Sequence, residues 1–434
     1  MKTILTRPCL LLAVLLPLPC CGGEASTDGV RAETSTNATT DGKAVVAAGT
    51  PRAALQPWQR ELLLVAFEAA SRFPMEPHWK NRGRAQDVVV AACFQLGQPE
   101  LARSYGERIA DWRRGTSLAD YAWFQARAGV RDGLEAVLAQ AQLVLDTERK
   151  SPDAQEWRGD MVALKLARAW TALGQPEKAS AAAAGIAPES ANAVDGTWAS
   201  TLADRVSRLS AAEAGAEVAS IDANFASMSI GQQAAAGELL AALHERFFAE
   251  AALRAEIEKR PARLWSTLMP SVRLDCLVKM VRTNVARGET AHGKELLRVV
   301  AEIVEGHTWR EEDELPWRAV VVELTALVGE VDRARSLADA ALARFHEVRE
   351  RIVNIYRARA LRPLMLARFA LGDRQGGGEL LELVLEEGME NPNSRPRCDD
   401  LVDTCTQLAV RGFEPPASSL LRIREIAAGL GDPW

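Results

Sequence analysis

The strongest constraint in this 434-residue sequence is a glycine that keeps returning with a small residue five positions after it. Leu96-Gly97-Gln98-Pro99-Glu100-Leu101-Ala102 is echoed by Leu173-Gly174-Gln175-Pro176-Glu177-Lys178-Ala179 and by Val328-Gly329-Glu330-Val331-Asp332-Arg333-Ala334. Plainer copies pair Gly288 with Gly293, Gly372 with Gly377 and Gly412 with Ala417. Glycine supplies the left-handed conformation that ends a helix, and a Pro, Asp or Glu just after it suits the first turn of the next. A small residue five positions on lets two antiparallel helices cross closely. The predicted unit is helix, turn, helix, and because one such unit cannot bury both faces, its copies must stack.

The last four glycines are spaced by 41, 43 and 40 residues. Gly97 to Gly174 fits two such steps, with Ala128-Gly129-Val130-Arg131 as an irregular turn, and Gly174 to Gly288 fits three, interpolated across Ile186 to Leu264. About nine hairpins therefore fill 58–434. Apolar residues recur there at helical spacing, as in Leu62, Val65, Ala66, Ala69 and Ala70, or Leu296, Val299, Val300, Ile303 and Val304. The β-branched runs Val88–Val90 and Val320–Val322 sit inside such patterns, so the expectation is an all-α fold.

Leu166-Ala167, Trp170, Gly174 and Ala179 resemble the tetratricopeptide repeat, with its large-small pair, aromatic, turn glycine and small residue in order. The resemblance implies a right-handed superhelical array of antiparallel helical hairpins, a TPR-like α-solenoid. The step here exceeds the family's period of about 34 residues, which implies longer helices or loops such as Asn391–Pro396. A soft break is expected near 186–236, where Ala, Ser and Gly dilute the large side chains. In the resembled family the first helix of each hairpin faces the groove, so residues six, ten and thirteen before the glycine point inward. Polar residues recur there: Arg168, Arg282, Glu323, Arg362, Arg359, Thr406 and Asp399. Arg359 and Arg362, with Arg395 and Arg397 in the following loop, form a candidate carboxylate clamp. The alternative is that Arg359 and Arg362 pair with Asp399, Asp400 or Asp403 as interior scaffolding; Pro363 either kinks their helix or begins it.

Residues 1–21 have basic Lys2 and Arg7 and then the apolar run Cys9–Leu18, too short for a spanning helix of roughly 20 residues and laid out like an export signal. Leu18-Pro19-Cys20-Cys21 resembles a bacterial lipoprotein signal, with Cys21 the candidate for lipidation, although Cys20 stands where Gly, Ala or Ser is usual. The alternative is ordinary secretory cleavage. Residues 22–57 are rich in Ala, Thr, Ser and Gly and read as a disordered tether. Removing the signal takes Lys2 and Arg7 with it, so the net charge of −6 becomes −8 and leaves no cationic excess for nucleic acid.

Catalytic spacings are missing: there is no His-Glu-x-x-His, no phosphate loop, no Gly-x-Ser-x-Gly and no Cys-x-x-Cys after the N-terminus. His78, His244, His292, His307 and His346 make no pair at i, i+3 or i+4, so no metal or other cofactor is expected. Gly376-Gly377-Gly378 reads as a close helix crossing. Glu311–Glu314 reads as a solvated loop before a helix with Pro316 at its first position. Eleven tryptophans are spread like wedges between hairpins, and the cysteines after residue 21 read as buried free thiols.

The function expected is a non-enzymatic scaffold, exported and lipid-anchored at the cell envelope, whose groove binds a protein or peptide partner. Two alternatives stand beside it. One is an envelope enzyme assembling dispersed carboxylates such as Glu311, Glu312, Asp399 and Asp403 with arginines; the other is a passive spacer.

Overall fold

A computed structural model describes residues 54–153, 155–186, 202, 205–265 and 268–434. The export signal, Cys21, almost all of the tether, Trp198 and part of the interpolated stretch lie outside them. Among the described residues the structure is helical with no strand. Helix α1 (Pro57–Ala70) precedes three hairpins: α2 (Trp79–Gln95) with α3 (Pro99–Gly106), α4 (Arg113–Arg127) with α5 (Leu134–Lys150), and α6 (Glu156–Ala172) with α7 (Pro176–Ala183). Next come α8 (Ala211–Asn224), α9 (Ile230–Arg246) and α10 (Ala251–Lys259), the last running into a π-helical turn at Arg260–Leu264. Four hairpins complete the chain: α11 (Pro270–Ala286) with α12 (Thr290–Gly306), α13 (Glu311–Leu327) with α14 (Val331–Val348), α15 (Asn354–Ala370) with α16 (Arg374–Met389), and α17 (Ser394–Arg411) with α18 (Ala417–Ala428). The valine runs lie in α2 and α13. None of these helices is long and apolar enough to cross a membrane.

All six turn glycines have φ between 68° and 88°. After each, the next residue donates its N–H to the carbonyl five before it, from Gln98 to Cys93 at 2.9 Å through Phe413 to Leu408 at 3.1 Å. This bond satisfies a carbonyl that the helix end would leave open. Gly129 makes the same turn, with Val130 donating to Gln125 at 3.0 Å. Ala102, Ala179, Gly293, Ala334 and Gly377 are buried, and a Cβ on Gly377 would come within 2.8 Å of the Phe369 ring. Ala417 is exposed instead. Pro415 and Pro416 delay α18, so Ala417 is its first residue, and Ser419 is the fully buried one, its hydroxyl donating to Glu382 of α16.

Three local expectations are corrected. Glu311–Glu314 form the first turn of α13, where carboxylates complement the helix dipole, and Pro316 falls inside the helix. Pro363 likewise lies in the middle of α15, so it does not begin that helix. The loop at Asn391 is shorter than its sequence suggests, because Ser394 already opens α17. Cys93, Cys276, Cys398 and Cys405 are buried and unpaired. The tryptophans divide: Trp112 and Trp265 are buried, whereas Trp157 is 45% exposed.

The first helices of successive hairpins pack side by side, α2 on α4 on α6, and α9 on α11 on α13 on α15 on α17. An elongated array would hold its first and last hairpins apart. Here α17 also packs on α1 and α2, and one apolar core runs from Leu62, Leu63, Phe67 and Phe73 to Cys405, Leu408 and Ile423. Burying such side chains stabilises by about 1.5–3 kcal/mol each before chain entropy is charged. Polar contacts fix the register of the junction. Gln59 Nε2 donates to Ala409 O at 2.8 Å, Arg72 donates to Ala428 O at 3.1 Å, and Phe73 packs on Trp434 with ring centres 4.8 Å apart.

Candidate functional site

The first helices carry the residues expected to face inward, and most of these meet an oppositely charged side chain on another first helix. Arg168 Nη2 reaches Asp120 of α4 at 2.7 Å and lies 4.0 Å over the Trp123 ring; Lys165 takes the other Asp120 oxygen at 2.6 Å. Lys279 of α11 binds both oxygens of Glu238 in α9. Arg282 pairs with Glu323 of α13 at 3.1 Å, and Arg411 from the end of α17 grips the same carboxylate at 3.1 and 3.2 Å. Several partners are about one repeat apart in sequence, 41 residues for Lys279–Glu238, Arg282–Glu323 and Arg362–Asp403. Equivalent faces of neighbouring helices are thus tied at the same level.

The four-arginine clamp does not assemble. Arg362 is only 2% exposed; its guanidinium donates to Asp400 Oδ1 at 2.7 Å, Asp403 Oδ2 at 3.3 Å and Thr404 Oγ1 at 3.0 Å. α17 supplies the carboxylates that an outside ligand would have offered, which is the interior-scaffold alternative. Asp399 instead faces Arg84 of α2 at 3.3 Å. Arg397 donates from Nε to Asn391 O, Arg395 is half-buried, and Arg359 is exposed on α15. Thr406 turns its hydroxyl back to Val402 O at 2.8 Å.

Burial pushes Asp399 and Asp400 up to about 6, with Arg84 and Arg362 only partly opposing it. The other dispersed carboxylates are also paired, Glu311 with Arg351 at 3.3 Å and Glu312 with Arg310 at 3.5 Å. Two open clefts stand out among the described residues, and neither is lined by these groups. One, about 330 Å³, lies among Gln142, Arg149, Trp170 and Lys178; the other, about 550 Å³, lies between the π-helical turn and α12.

Sequence spacing missed one cluster. His244 of α9 and His292 of α12 both bind the carboxylate of Glu258 in α10, at 2.7 and 2.6 Å, and Asn284 Nδ2 donates to it at 3.0 Å. Burial opposes ionisation of Glu258, but the hydrogen bonds from His244, Asn284 and His292 outweigh it and hold the carboxyl down at about 2. Burial likewise works against the charge on His292, yet Glu258 and Glu295, the latter 3.0 Å from Nδ1, raise its pKa. With both ring nitrogens facing carboxylates, His292 is held as an imidazolium and has no open nitrogen for use as a base. No local motif announces this group, because its members come from four helices and stand 14 to 34 residues from Glu258. Among the described residues no set of three or more His, Cys, Asp or Glu is arranged to hold a metal ion.

A scan of protein-family models finds no match to this chain, and a search of curated proteins finds no similar sequence.

Proposed function

We propose that this chain is an exported, lipid-anchored scaffold at the cell envelope, its hairpins wound in the right-handed superhelical sense and its surface binding a protein or peptide segment. The ladder of ion pairs between successive first helices carries the reading. Partly buried pairs of this kind add little net stability but are costly to break singly; they fix the relative level of neighbouring helices. A frame of fixed register suits holding a partner. Acids and bases committed to one another favour that role over proton transfer.

The test is capture of crosslinked partners by the full-length chain in envelope preparations, identified by mass spectrometry. A defined protein enriched over an unrelated lipoprotein supports the reading, and no enrichment refutes it. Loss of fatty-acid label in Cys21→Ala tests the anchor. Arg359→Glu probes the predicted face. Arg362→Glu does not, because it would bury a third carboxylate beside Asp400 and Asp403 and disturb the fold itself.

A further inference from the structure

The 550 Å³ cleft borders a π-helical turn, the one such turn among the described residues. Its near wall is the π-helical turn Arg260–Leu264, a rare geometry that leaves backbone carbonyls without their usual partners. Two side chains lock that turn. Arg260, 7% exposed, binds Asp222 of α8 through Nε at 3.0 Å to each oxygen. Arg273 of α11 donates to Pro261 O at 2.7 Å and Ala262 O at 3.1 Å. So held, the turn presents Arg263 and Leu264 outward, Leu264 at 53% exposure, with Met269 nearby at 46%.

The far wall is the last two turns of α12. Val299 and Ile303 give it an aliphatic strip, with Arg298 and Glu302 beside them. Arg298 and Glu302 are 3.7 Å apart and both largely exposed, an ion pair weak enough to be exchanged. His307 closes one end, its ring edge-on to Trp309 at 4.6 Å. Three guanidiniums against one carboxylate make the cleft locally cationic in a chain of net charge −6.

We propose that this cleft binds a short acidic peptide segment bearing aliphatic side chains, seating carboxylates on Arg263 and Arg298 and an aliphatic side chain on Val299 and Ile303. Planar guanidiniums match carboxylates in bidentate geometry, and an open cleft of this length along α12 suits an extended segment lying across it. The proposal rests on the scaffold reading and names the class of partner for it.

The test uses the full-length chain and a fluorescein-labelled peptide of alternating Glu and Leu, followed by fluorescence anisotropy, with a Gln-for-Glu peptide as control. Binding of the acidic peptide should exceed that of the control by about tenfold or more and fall by a similar factor in Arg263→Glu/Arg298→Glu. Both arginines are exposed, so the thermal melt of the variant should match the wild type. Glu302→Gln should tighten binding by removing the competing carboxylate. Equal binding of both peptides, unchanged binding by the reversed-charge variant, or a preference for inorganic phosphate or anionic vesicles over the peptide would overturn the assignment. An envelope partner captured equally by wild type and the double variant would leave the scaffold standing and remove the cleft; no captured partner and no peptide binding would remove both.

Discussion

Alanine at Gly377 tests directly whether small residues after the turn exist for close helix crossing. A Cβ there would stand 2.8 Å from Cγ and Cδ1 of Phe369 and 2.9 Å from Cε1, where carbon atoms prefer about 3.5–4.0 Å. The ring would have to retreat by about 0.7–1.2 Å on that scale. It has little freedom to do so, being 7% exposed and stacked on Phe413 at 5.6 Å. Overpacking of this kind costs about 1–3 kcal/mol, against at most about 1 kcal/mol gained from helix propensity, so a net loss near 1 kcal/mol is expected. Gly215, inside α8 with nothing within 4 Å of a Cβ, is the matched control; alanine there should gain about 0.5–1 kcal/mol. Urea unfolding followed by circular dichroism should therefore move the two midpoints in opposite directions. Phe369→Leu should recover part of the Gly377→Ala loss in a double-mutant cycle. If Gly377→Ala raises the midpoint as Gly215→Ala does, the crossing argument is wrong.

Three further predictions follow from the ion pairs. Arg362→Ala should lower unfolding free energy by about 3–5 kcal/mol in guanidinium titration, because Asp400 and Asp403 lose their buried counter-ion; a loss under 1 kcal/mol would show that the pair is solvated. His292 has a folded pKa above 6.5, so its contribution is full below that value and fades as pH rises through the raised one, whereas Glu258, at about 2 rather than 4.5, contributes above 4.5 and loses this as pH falls toward 2. The stability gap between wild type and Glu258→Gln should accordingly be widest between pH 4.5 and 6.5, and a gap that keeps growing toward pH 9 would contradict the assignment. Asp399 has the opposite sign. Raised from 3.8 to about 6, its ionisation costs stability above that range, so Asp399→Asn should be no less stable than wild type at pH 8 and should lose part of the gain seen as pH falls from 6 to 4, measured by urea midpoints.

What could be read from residues alone was whatever depends on local backbone chemistry. Gly97, Gly174, Gly288, Gly329, Gly372 and Gly412 mark turns because a left-handed residue is needed at a fixed place, and a sequence shows that directly. Pro316 misleads because proline suits a helix start, and Pro363 leaves kink and start open, while packing around α13 and α15 holds both inside helices. The groove positions picked out polar side chains that pair between first helices, and for Arg362 the carboxylates it meets stood among the alternatives. Whether Arg362 faces a ligand or Asp400 depends on how two hairpins 38 residues apart come together, and periodicity carries no information on that. The Glu258 cluster was invisible for the same reason, since scattered histidines look idle until tertiary structure joins them.

The shared core of α1, α2 and α17 also restricts how such a chain can change in length. Repeat proteins with free ends grow or shrink by a module at a time, each loss exposing one surface. In this chain, deleting the final hairpin would strip Leu62, Leu63 and Phe67 of their cover as well. Insertions and deletions should therefore be tolerated in surface turns and not at the extremities. Trp434 packs on Phe73 past the far end of α1 from Pro57, so a circular permutant opened at an exposed turn elsewhere should still fold only if a linker spans the roughly 20 Å length of that helix.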